Sequence, residues 1–154
     1  MKTLPFFLLV AAVVTSCSQS GSQANKNTDS LKTDVTSGSS DGCFLKTNGK
    51  DSVSLQLHIR DTSISGDLSY RYFEKDKNTG TISGNIRNNI IHAQYAFMSE
   101  GVQSTRPVVF KLQDDKIYEA VPDSINPEGI PVFTNNDAAL KFDVEPLSKI
   151  SCKE

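Results

Sequence analysis

Strict alternation of apolar and polar residues, turn-forming segments about every ten residues and the lack of helical periodicity predict an all-β body. The architecture they imply is an antiparallel meander of about eight strands that closes into a small barrel or a sandwich. An irregular C-terminal segment follows it. A meander of this length leaves two edges, and closure is the simplest way to hide them.

Each element follows from its residues. Cys43 to Lys46 starts a strand, and Asn48-Gly49-Lys50-Asp51 turns the chain. Ser52 to Arg60 places Val53, Leu55, Leu57 and Ile59 on one face and Ser54, Gln56, His58 and Arg60 on the other. After Asp61-Thr62-Ser63, Ile64 to Glu74 alternates through Ile64, Gly66, Leu68, Tyr70 and Tyr72. A turn at Lys75 to Gly80 leads into Thr81 to Arg87, with Ile82, Gly84 and Ile86 inward. Gly66 and Gly84 fall at inward positions, where a curved barrel wall often needs no side chain. Asn88-Asn89 is a tight turn, because asparagine tolerates left-handed backbone angles. Ile91, Ala93, Tyr95 and Phe97 form the next inward face.

Ser99 to Thr105 reads as a polar loop, and Arg106 to Leu112 as a strand with Val108, Phe110 and Leu112 alternating. Pro107 marks a strand end or an edge. Gln113-Asp114-Asp115 turns into Lys116 to Val121. Pro122, Pro127 and Pro131 then make the chain irregular. Asn136 or Asp137 caps a short helical turn through Leu140. Leu140 to Val144 is the expected closing strand, stopped by Pro146.

The N-terminus has a different character. Lys2 is followed by an apolar run from Leu4 to Val14, the small residues Thr15 and Ser16, and then Cys17. The order is that of a secretory signal. The run is shorter than the roughly 20 residues that span a bilayer. Val14-Thr15-Ser16-Cys17 resembles the lipobox of bacterial lipoproteins. That resemblance implies diacylglyceryl transfer to the Cys17 thiol, cleavage before it, and anchoring to a membrane through acyl chains. The chain therefore divides into a signal peptide at 1–16, a lipidated cysteine with a disordered linker at 17–42, and a β-barrel domain at 43–154. Ser18 to Asp41 is too polar to offset its ordering entropy. As a flexible tether it reaches roughly 25 to 30 Å. By the same resemblance, Ser18 after the lipid site and the lack of an acidic cluster there place the protein at the outer membrane, with its domain in the periplasm.

The formal charge of −2 argues against a nucleic-acid partner. With Cys17 lipidated, Cys43 and Cys152 remain. In an exported protein a pair at this separation reads as a disulfide, with two free thiols or an intermolecular bridge as the alternatives. Joined, they close a loop of ~110 residues.

No nucleophile elbow, His-Glu-x-x-His, Cys-x-x-Cys or glycine-rich phosphate loop occurs, so neither an enzyme nor a bound cofactor or metal is expected. Asp76-x-Asn78-x-Gly80 faintly resembles half of a calcium loop, but it lacks the remaining ligands and reads better as a hairpin with glycine in the left-handed position. His58 and His92 fall on outward positions. Two strands separate the 75–80 turn from the 99–105 loop, so both emerge at one end of a meander. Glu74, Asp76, Asn78, Glu100 and Arg106 are therefore the candidate ligand-binding residues, lining one mouth, with Glu100 and Arg106 able to pair.

The layout from Cys43-Phe44 through Glu74-Lys75-Asp76-x-Asn78, Ser99-Glu100-Gly101 and Val108-Val109-Phe110-Lys111 to Cys152 resembles small Gram-negative envelope lipoproteins with a lipocalin-like barrel. Lysozyme-inhibitor lipoproteins share the size and plan, but their Ser-Gly and Lys-Gly loop motifs are missing here. That likeness brings no established activity; the anchor, the spacer and the polar loop cluster lead instead to the expectation of a binding module for a small molecule or an envelope protein, with an accessory role in envelope maintenance through protein contact as the alternative.

Overall fold

The structure is a computed structural model that describes residues 39–75 and 77–152. The signal peptide at 1–16, Cys17, the linker up to residue 38, and Asp76 lie outside the described residues.

Long antiparallel strands follow one another through short turns: β1 (Ser39–Asn48), β2 (Asp51–Arg60), β3 (Ser63–Arg71), β4 (Asn78–Arg87), β5 (Ile90–Ser99), β6 (Val102–Gln113) and β7 (Lys116–Val121). The tail contributes β8 (Ser124–Ile125), β9 (Pro131–Val132), a 3-10 turn at Asp137–Ala139, β10 (Lys141–Phe142) and β11 (Leu147–Ile150). β11 pairs with both β1 and β7, and β7 with β6, which closes an eight-stranded antiparallel barrel. β10 is an extra strand on β7, and β8 and β9 form a small separate hairpin.

The two-residue turns explain why the strands keep register. Asn88 and Asn89 take φ of 48° and 65°, and Asp114 and Asp115 take 52° and 57°. Left-handed angles at both central residues match the right-handed twist of the flanking strands. The wall also curves tightly. A Cβ on Gly84 would lie 2.0 Å from the His92 carbonyl oxygen, and one on Gly66 would lie 2.1 Å from that of Gln56. Neighbouring backbone fills the space a side chain would need.

Alternate residues of the strands fill the interior. Leu55, Leu57, Leu68, Tyr70, Ile82, Ile91, Tyr95, Phe110, Ile117 and Leu147 are fully buried. A second, smaller cluster sits on the outer wall, where Phe133, Leu140 and Phe142 of the tail cover Ile90, Val109 and Ala120. Cys43 and Cys152 are joined, with Cα atoms 5.2 Å apart.

Four expectations are corrected. The barrel begins at Ser39 rather than Cys43, because the backbone of Ser39 to Gly42 pairs with Leu57 to Arg60 although its side chains are polar. Asp41 ties that segment down by accepting from Arg60 Nη1 at 2.6 Å and lying 3.1 Å from His58 Nδ1. The loop expected at Ser99 to Thr105 shrinks to Glu100-Gly101, because Ser99 already pairs with Val102. Gly80 lies within β4, and Glu74 (φ 57°) takes the left-handed position of the turn instead. The closing strand is β11, beyond Pro146; β10 pairs only with the end of β7.

Candidate functional site

The barrel has two unlike ends. The start of β1, the 61–62, 88–89 and 114–115 turns and the last residues of β11 lie at the base. The 49–50 and 100–101 turns, residues 72–75, Lys77 and the end of β7 lie at the other end, where the inward faces change from aliphatic to aromatic and polar.

Register dictates that change. Tyr70 stands opposite Asn78 and Val53, and Tyr95 stands opposite Arg106, so each pair shares a face. Glu119 stands opposite Phe110 and shares its inward face. The Tyr70 hydroxyl donates to Glu119 Oε1 at 2.5 Å, and the Tyr95 hydroxyl donates to the Leu68 carbonyl at 3.0 Å. Burial pushes the Glu119 carboxyl above the usual carboxylate range. Burial first, and then the charge of Glu119, push Tyr70 far up, while burial pushes Tyr95 up to about 12. Both phenols therefore remain hydrogen-bond donors at neutral pH.

Arg106 enters this aromatic layer from β6. Its guanidinium carbon lies 5.1 Å from the Tyr70 ring centroid, 5.6 Å from Tyr95 and 5.3 Å from Phe97. Contacts of this kind fix a guanidinium plane by cation–π attraction. Its Nε is buried without a hydrogen-bond partner, and so is Oδ1 of Asn78. Among the described residues no carboxylate forms an ion pair with Arg106. The seam beside it is held by Lys46, whose Nζ lies 2.7 Å from Asp143 Oδ2. Burial opposes the Lys46 charge, but the bond to Asp143 outweighs it and raises its pKa; the same bond holds Asp143 low. A cleft of about 220 Å³ opens here between Lys46, Val53, Tyr72, Asp143 and Glu145.

The rim is apolar. Tyr72, Phe73, Met98, Val102, Val121 and Val144 are all exposed, Val144 by 89%. Lys50 Nζ sits 3.6 Å above the Phe73 ring, and Asp51 accepts from the Phe73 amide at 2.6 Å. These contacts brace the chain just after β3.

The sequence-predicted residues separate. Asn78 and Arg106 both face inward at this end. Glu74 and Glu100 lie in exposed turns, and no ion pair joins Glu100 to Arg106 among the described residues. Asp76 lies outside the described residues. Tyr70 and Tyr95 were expected on inward faces but not as part of a site, and Glu119, Lys46 and Asp143 were not anticipated. Alternation could have found Glu119, two residues from Ile117, and could have turned Arg106 inward with Val108 and Phe110. Nothing local marks Asp143.

A larger groove, about 800 Å³, runs along the outer wall under the tail. There His92 Nε2 lies 2.8 Å from Asp137 Oδ1 and pins the 3-10 turn to β5. Among the described residues no three His, Cys, Asp or Glu side chains converge as a metal site would require. Comparison with known proteins finds no family model, no curated protein and no solved structure that matches the chain.

Proposed function

We propose that this chain is an envelope lipoprotein, lipidated at Cys17 and held at the outer membrane, that binds a protein partner in the periplasm through the aromatic, polar end of its barrel. One observation carries the reading: the barrel interior is filled by its own side chains, while that end exposes apolar residues around an arginine with an unmet donor. A carrier for a small apolar ligand calls for an enclosed cavity. A filled barrel whose rim exposes several large apolar side chains fits protein contact instead, since exposed apolar side chains grouped at one end of a domain mark interaction surfaces.

Capture from detergent-solubilised envelopes tests the reading. The wild-type chain should retain one stoichiometric partner, and Tyr72→Ser with Met98→Ser should release it. A partner that survives both changes would point to an accessory role through another face. Metabolic labelling with palmitate tests the anchor: Cys17→Ala should abolish incorporation, and continued incorporation would sink it.

A further inference from the structure

Building on that docking reading, we propose that Arg106 and Asn78 receive the free carboxyl terminus of a partner polypeptide. Arg106 presents a planar fork of donors that matches a carboxylate in two parallel bonds. The rings of Tyr70, Tyr95 and Phe97 hold the plane of that fork, and its Nε has no partner. Asp143 is paired with Lys46, whereas Glu119 accepts from Tyr70 and its charge also acts on Arg106, although among the described residues the two form no ion pair.

Asn78 supplies the complementary need. Its buried Oδ1 is an acceptor without a donor, on the same inward face as Tyr70. A polypeptide end offers both missing groups together, a carboxylate for Arg106 and a backbone N–H for Asn78. A simple anion offers only the first. The exposed side chains of Tyr72, Phe73, Met98 and Val102 provide an apolar surface for a terminal aliphatic side chain.

The test uses the full-length chain, 15N-labelled and held in detergent, with the Arg106 Nε–H resonance as readout. The probes are acetyl-Ala-Ala-Leu with a free carboxylate, the same peptide as its C-terminal amide, and acetate. The free peptide should shift the resonance saturably, and the amide should not. Acetate should bind about tenfold more weakly, the discrimination one or two additional well-made hydrogen bonds provide. Asn78→Ala should weaken the peptide by a similar factor and leave acetate unchanged. Arg106→Gln should abolish peptide binding, read by the remaining amide resonances, and its thermal midpoint shows whether it folds.

Equal shifts from peptide and amide, or none from either, would overturn the proposal. Acetate binding as tightly as the peptide would also overturn it, leaving a simple anion site. Partner capture that is lost in the Tyr72→Ser, Met98→Ser variant but kept in Arg106→Gln would refute the carboxyl-terminal site and leave the docking reading standing. Peptide binding without any captured partner would do the reverse.

Discussion

The hydroxyl of Tyr70 on β3 reaches Glu119 on β7 across the interior of the barrel, joining strands 49 residues apart in sequence. This bond sets a carboxylate into the aromatic layer and gives it its one hydrogen-bonded phenol. Tyr70→Phe would keep the ring packing and remove the donor. We expect a loss of about 1–3 kcal/mol at neutral pH, the usual cost of stranding a buried acceptor. Urea denaturation measures it, and an unchanged midpoint would show that water replaces the hydroxyl.

Glu119 also makes stability depend on pH in a definite direction. Its native pKa is raised by burial, so folding favours the protonated form. The contribution is fully present below the ordinary carboxylate value of about 4.3 and is lost as pH rises through the raised native value. The stability of Glu119→Gln relative to wild type should therefore increase across that window. A difference between the two that stays constant with pH would contradict the assignment.

Asp41 acts in the opposite sense. Arg60 first, and then His58, hold its carboxyl down to about 2. Its stabilisation is present above the unfolded value, near 3.9, and is lost as pH falls toward the native one. Asp41→Asn should remove that acid-limb dependence and free the start of β1. Faster hydrogen exchange at residues 40–42 alone is the expected signature; exchange spreading to β3 would show a larger role.

The disulfide spans a separation of 109 residues and ties β1 to the end of the chain just after β11, the strand that closes the barrel. The chain-entropy model assigns a loop of this length about 4–5 kcal/mol. Cys43→Ser with Cys152→Ser should lower stability by that order, as read from denaturant midpoints. Equal midpoints for the oxidised and doubly substituted chains would contradict this.

Gly84→Ala should be among the most damaging single changes. The new Cβ would meet the His92 carbonyl oxygen at 2.0 Å, and backbone cannot withdraw as a flexible side chain can. A cost of about 3 kcal/mol or more is expected, at the upper end of single substitutions. Near-neutral behaviour in thermal unfolding would mean that β4 and β5 can separate at little cost.

The segment Ser39 to Gly42 and the residue Pro146 show where sequence reading stops. Val53, Leu55, Leu57 and Ile59 announce their strand because alternation is a local property, and two-residue turns carry that register onward. The glycines of the curved wall were legible for the same reason. Ser39 to Gly42 carry no apolar signal, yet they form strand because β2 supplies an unfilled backbone ladder. Pro146 reads as an end, yet the strand that closes the barrel begins just after it.

Period-two patterning and turn chemistry made the all-β class, the order of the first seven strands, most of the turns and the cysteines available to pair legible in the sequence. The insertion of β11 between β7 and β1, and the place of Arg106 among Tyr70, Tyr95 and Phe97 rather than beside Glu100, came from tertiary packing. Closure and shear bring together residues from distant strands, and no local pattern encodes which inward side chains then meet across the barrel.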